Sequence, residues 1–134
     1  MDITNSYQPI PQDVEKVGKA VLDAAFKVHS TLGPGLLESV YEKALTYELT
    51  NRDILVSQQV RIPIIYDGKR LDSDLVCDMV VEACVILELK AVEKMIPLFE
   101  AQLLTYLKLS GIRLGYLINF NVPQLKSGIK RMVW

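Results

Sequence analysis

The chain has 134 residues, half of them apolar, and a net charge of −1. That length holds one domain, residues 1–134, with a core that needs neither disulfides nor a structural metal. The near-neutral charge excludes an overall basic field for non-specific duplex binding, and no apolar run is long enough to cross a bilayer.

Cys77 and Cys84 are the two cysteines, without metal-type spacing. The start MDITNSYQPIPQ lacks the basic segment and apolar run of a secretion signal. Both point to the cytoplasm and reduced thiols. Lys126, Lys130 and Arg131 form a local basic cluster near the C-terminus, read as a solvated terminus.

In chain order, residues 1–10 read as a loosely ordered arm. From Asp13, Val14, Val17, Val21, Ala24, Ala25 and Val28 recur at helical spacing, and Gly33-Pro34-Gly35 ends that helix. A second helix is expected over about 36–51, burying Leu36, Leu37, Val40, Ala44 and Leu45. The period then changes. VRIPIIY (60–66) reads as a strand at an edge or bulge because of Pro63, and Asp67-Gly68 is a turn signal. Strands follow over about 74–81 and 84–91. Pro97 opens a third helix through about Leu109, closed by Gly111. LGYLINF (114–120) is a further strand, and GIKRMVW adds a last strand or packs Trp134 on the domain. Short connections make the three-strand meander antiparallel, and the strand after the third helix joins by a crossover. The expected class is α/β, a mixed sheet flanked by helices.

The stretch CVILELKAV (84–92) sets the functional question. Side chains alternate along a strand, so Glu88 and Lys90 share a face with Ile86 and Cys84, while Val85, Leu87 and Leu89 point the other way. An ionised carboxylate in such a run is costly unless paired, hydrogen-bonded or metal-bound. Asp78 lies ten positions earlier, across a tight connection. A three-residue loop Glu82-Ala83-Cys84 pairs Val81 with Val85 and sets Asp78 against Glu88. A two-residue loop puts the acids on opposite faces, and the apolar pattern does not choose. Facing carboxylates repel unless a proton or cation joins them. Oxygen ligands with waters suit Mg²⁺ or Mn²⁺, which lower the pKa of a bound water; Lys90 on the same face would orient that water or stabilise phosphoryl charge. The competing reading is a structural salt bridge from Lys90 to both acids. Glu38, beside Leu37 and Val40, sits on a helix expected to pack on the sheet, where it reaches the same edge or is an exposed glutamate facing Lys43 or solvent. Gln102 and Tyr106 are i, i+4 on the third helix, an amide and a phenol suited to a phosphate or a base edge, or simply a polar helix face. His29 reads as a helix-end histidine bonded to backbone. Cys77 would oppose Leu89, so it makes a poor disulfide partner for Cys84.

These blocks carry a resemblance. Gly35-Leu-Leu-Glu38-Ser-Val-Tyr41 matches the motif that names the GxxExxY family. His29-Ser-Thr-Leu-Gly-Pro-Gly, Asp78…Glu88-Leu-Lys90-Ala-Val, Ala101-Gln102-Leu-Leu-Thr-Tyr106-Leu and Leu117-Ile-Asn-Phe120 resemble its other blocks, in the same order, over about residues 13–133. The family is placed in the PD-(D/E)XK, restriction-endonuclease-like superfamily. The resemblance implies an αβββαβ core and a Mg²⁺-dependent nuclease or other nucleic-acid-processing phosphodiester hydrolase. Asp78, Glu88 and Lys90 would be catalytic, Asp78, Glu88 and Glu38 would hold the metal, and Gln102 and Tyr106 would bind substrate. Cys77 stands where the superfamily name has proline. The implied partner is nucleic acid, DNA first, with no membrane and with monomer or homodimer both open. From another class, a catalytically silent nucleic-acid-binding or protein-interaction module would use the same fold.

Overall fold

Leu114–Asn119 (β4) is buried at every position, so layers must cover it on both sides. The structure, a computed structural model, describes residues 8–134. Around β4 it arranges α1 (Gln12–Leu32), α2 (Glu38–Asn51), β1 (Val56–Tyr66), β2 (Lys69–Val81), β3 (Val85–Lys90), α3 (Pro97–Ser110), a 3-10 turn at Leu125–Gly128 and β5 (Ile129–Val133). The sheet order is β1-β2-β3-β4-β5. Only β3 and β4 are parallel, joined through α3; the other neighbours are antiparallel. This is the mixed α/β sheet with flanking helices that the sequence predicts, consistent with a restriction-endonuclease-like fold. GIKRMVW supplies a fifth strand. Of the arm expected over residues 1–10, residues 1–7 lie outside the described residues, and in the described part Arg113 bonds the Gln8 and Pro9 carbonyls.

Two apolar layers result. On one face Val21, Ala24, Tyr41, Leu45 and Leu49 of α1 and α2 meet Met79, Val81, Val85, Leu87 and Leu89. On the other, Leu103, Tyr106 and Leu107 of α3 meet Cys77, Ile86 and Leu117. The α2 pattern departs from expectation. The helix begins at Glu38, and Leu36, Leu37 and Val40 are exposed, with Leu37 at 74%. The buried stripe is Tyr41, Leu45 and Leu49, because the turn before α2 swings its first residues to the rim. The basic cluster is also partly engaged. Arg131 makes a two-pronged pair with Glu15 at 2.7 and 2.9 Å, and Lys130 stands 4.0 Å from Glu100.

The β1–β2 hairpin is longer than expected and reverses its faces midway. Residues two apart on a strand share a face. Yet Met79 packs toward α1 and α2 while Cys77 packs toward α3, and on β1 Val56 and Val60 divide the same way. The pairing offset is unchanged, with Gln58 opposite Met79 and Val60 opposite Cys77, so no residue is inserted. Gln59 lies between, at φ +49°, a left-handed conformation that side-chain-bearing residues rarely adopt. That single inversion turns the outer half of the hairpin onto α3.

Gly128 closes the far side. A Cβ there would lie 2.2 Å from the Asn119 carbonyl oxygen, a backbone atom that cannot rotate away. Gly128→Ala is therefore expected to destabilise the fold by about 1–3 kcal/mol, the usual cost of overpacking, seen as a lower melting temperature. An unchanged melting temperature would show that this turn has room to yield.

Candidate metal and nucleic-acid site

The connection between β2 and β3 decides the register. Glu82 and Ala83 adopt φ +50° and +56°, and Cys84 N–H donates to the Val81 carbonyl at 3.0 Å. Glu82 is anchored there by Leu55, whose N–H donates to its carboxylate at 2.6 Å. Val81 then pairs with Val85, Val80 with Ile86 and Met79 with Leu87. This is the three-residue-loop register, one of the two open alternatives.

The ladder stops where Asp78 and Glu88 would form the next pair. The carboxylates take over crosswise. Asp78 N–H donates to Glu88 Oε2 at 2.6 Å, and Leu89 N–H donates to Asp78 Oδ2 at 2.8 Å. Glu88 is buried at 6% exposure. Burial, then the Asp78 charge, pushes its pKa up to about 8, against the Asp78 N–H, Lys90 and, in the raising direction, Glu38. Burial likewise raises Asp78, opposed by the Leu89 N–H.

Lys90 does not make the salt bridge of the competing reading. Its Nζ lies over the Phe99 ring, 4.2 Å from the centroid, a cation–π contact, and no ion pair links it to a carboxylate among the described residues. Glu38, first residue of α2, comes from the other face to the end of β3, near the Ala91 N–H. Burial raises its pKa most, and the charges of Lys90 and Asp78 act on it in opposite directions.

Tyr41 explains how Glu38 gets there. The ring is fully buried, stacked on Phe120 at 4.6 Å between centroids. Its hydroxyl donates to the Gly33 carbonyl and accepts from Leu36 N–H at 3.2 Å. It therefore ties down the turn from which α2 starts, in which Gly35 has φ +101°.

Tyr106 faces the acids from α3. Burial, then the Glu88 and Asp78 charges, pushes its pKa up to about 12, so it is a neutral phenol. Gln102, one turn earlier, lines an open cleft of about 170 Å³ with Tyr106, Leu75 and Leu98; it stands along the cleft and makes no hydrogen bond to the acids. His29 lies outside, its Nε2 bonded to the Val122 carbonyl at 2.8 Å. Cys77 and Cys84 are free thiols. The structure thus gathers Asp78, Glu88, Glu38, Lys90 and Tyr106 at one end of β3, with Gln102 at the margin.

Two residues were missed. Glu42, one turn after Glu38, accepts from the Gln58 amide at 2.9 Å and from the Gln59 amide at 3.1 and 3.2 Å. Its i, i+4 spacing from Glu38 was a usable signal. Nothing in the local sequence marks Gln59.

The donor set fits a hard divalent cation in type. Asp78 and Glu88 each spend one oxygen on a backbone N–H, leaving the other, and Mg²⁺ is commonly held by one or two carboxylates plus waters. Among the described residues no three His, Cys, Asp or Glu side chains are grouped so as to hold a metal ion, so Asp78 and Glu88 would hold it as a pair.

Such a mixed five-stranded sheet flanked by helices is a restriction-endonuclease-like fold. The family model of the PD-(D/E)XK nuclease superfamily matches residues 15–132, and the chain belongs to that superfamily. No curated protein and no solved structure matches it. Among the described residues no helix is long and apolar enough to cross a membrane.

The raised Glu88 pKa has a measurable sign. Between its ordinary 4.5 and about 8 the folded chain holds a proton that the unfolded chain has released. Stability without a cation therefore falls as pH rises through that window and levels off above it. Glu88→Gln should flatten the slope of melting temperature against pH. An equally steep slope in that variant would assign it to other groups.

Proposed function

We propose that this chain is a nuclease of the GxxExxY branch, hydrolysing phosphodiester bonds in nucleic acid, DNA first, with Mg²⁺ or Mn²⁺. The observation that carries this reading is the crossed Asp78–Glu88 pair, desolvated, mutually repelling and with no direct ion pair to Lys90, whose Nζ lies over Phe99. A cation there removes the repulsion that a proton otherwise relieves.

Asp78 and Glu88 would hold the cation through their remaining oxygens, with Glu38 at the rim as the third acid. When bound, the cation supplies a water of lowered pKa and positive charge for the phosphoryl group. Lys90, an ammonium donor that is not a ligand, would move from the Phe99 face to the attacking water or the phosphoryl oxygens. Tyr106, a neutral phenol, and Gln102, along the cleft, would bond the substrate backbone or a base edge.

The open ligand set favours a second reading: no three such side chains are grouped so as to hold a metal ion among the described residues. On that reading the chain is a nucleic-acid-binding or protein-interaction module without turnover.

One experiment separates them. Metal affinity, melting temperature and cleavage of single-stranded, duplex and branched DNA and of RNA are measured for the parent, Asp78→Ala and Lys90→Ala. Asp78→Ala is expected to lose metal affinity and cleavage together. Lys90→Ala should keep metal affinity and lose roughly 10²–10³ in rate, the usual cost of one electrostatic group. A parent that cleaves none of these substrates, with metal affinity unaltered in Asp78→Ala, leaves the binding module.

A further inference from the structure

Asp78 is approached from both sides. From β3 it receives the Leu89 N–H at 2.8 Å. From β1, Gln59 stands opposite Asp78 between the pairs Gln58–Met79 and Val60–Cys77, near enough for its side chain to favour the ionised Asp78 carboxylate, and its amide donates to both oxygens of Glu42 at 3.1 and 3.2 Å. Gln58 adds a bond to Glu42 at 2.9 Å. Consecutive residues on a regular strand point to opposite faces, so two neighbouring glutamines ordinarily cannot grip one carboxylate. They do so here because Gln59 sits at φ +49°, where the strand reverses.

That conformation disfavours every residue with a Cβ and is free for glycine. A glutamine there is a backbone cost without return unless its amide is used. The amide spans the gap between Asp78, on the sheet, and Glu42, on α2, one turn from Glu38. A fourth carboxylate, Glu42, stands near enough for its charge to raise Asp78 and Glu38, and three amide hydrogen bonds engage its oxygens.

We propose that Gln59 is a positioning residue of the acidic site, orienting the Asp78 carboxylate toward a divalent cation and tethering Glu42 outside the ligand set. This rests on the metal-dependent reading above. Groups that orient metal ligands typically contribute 10–100-fold to metal affinity or activity.

The test uses the full chain with Mn²⁺ as probe. Gln59→Gly keeps the left-handed backbone and removes the amide. Gln59→Met keeps the length and the backbone cost and lacks only the hydrogen-bonding group, so it serves if the glycine variant fails to fold. Gln59→Asn retains an amide, one methylene shorter, on a residue that tolerates positive φ. Calorimetric Mn²⁺ affinity, metal-free melting temperature, and kcat and KM are measured for each. The expected result is Mn²⁺ affinity about tenfold or more weaker in the glycine and methionine variants, with kcat falling and KM little changed. Gln59→Gly should melt no lower than the parent, and Gln59→Asn should recover part of the affinity. A parent that binds Mn²⁺ and cleaves, with Gln59→Gly and Gln59→Met equal to it in affinity and kcat, overturns this inference alone. A parent that neither binds Mn²⁺ nor cleaves overturns the metal-dependent reading and this inference with it.

Discussion

The structure turns on the place where β2 separates from β3. A sheet that simply parted there would leave two buried N–H groups without partners, at a cost of about 1–3 kcal/mol each. Asp78 N–H and Leu89 N–H instead donate to Glu88 and Asp78. The carboxylates replace missing backbone acceptors, so their orientation is set by the strands rather than by free rotation about their own bonds. The same exchange lets the strands part while the Asp78 and Leu89 N–H groups stay bonded. Tyr106 on α3 and Glu38 at the start of α2 both stand near enough to feel the Glu88 charge.

Much of this was legible in the sequence because it depends on period and punctuation. The valine and alanine spacing of α1, Gly33-Pro34-Gly35, Asp67-Gly68 and Pro97 each carry a local physical instruction, and α1, α3 and the turns formed where they were expected, while β1 and β2 run longer. Face alternation placed Glu88 and Lys90 together. The register was not legible, because it depends on Glu82 and Ala83 taking left-handed conformations stabilised by Leu55, a residue distant in sequence. Nor was the exposure of Leu36, Leu37 and Val40: a helical apolar stripe says which residues align, and the direction in which the preceding turn aims them depends on Tyr41 reaching Gly33. Gln59 was hidden for a related reason. A face reversal at one residue keeps the pairing offset and leaves only a change in which valines are buried.

The motif Gly35-x-x-Glu38-x-x-Tyr41 divides its labour. Glu38 reaches the acids, whereas Tyr41 fixes the turn from beneath, its ring stacked on Phe120 at the end of β4. Phe120 N–H in turn donates to the Lys90 carbonyl at 2.9 Å. Asn119 clamps the segment just after Lys90, exchanging hydrogen bonds with both the N–H and the carbonyl of Val92. Helix, sheet and the loop after β3 are thereby locked to one another at the end of the strand that carries Glu88 and Lys90.

The long hairpin has a mechanical corollary. Beyond Gln59 its two strands pair with each other and lean on α3, while the acids lie on the near side of the reversal. The tip, Tyr66 to Lys69, turns through Asp67 and Gly68 with exposed Ile65, Tyr66 and Leu71 around it. Lengthening or trimming the ribbon by whole residue pairs at that tip leaves the inner register as it is. The reversal acts as a bulkhead: sequence drift in the outer ribbon can reshape what the protein touches at a distance without altering the spacing of Asp78, Glu88 and Lys90.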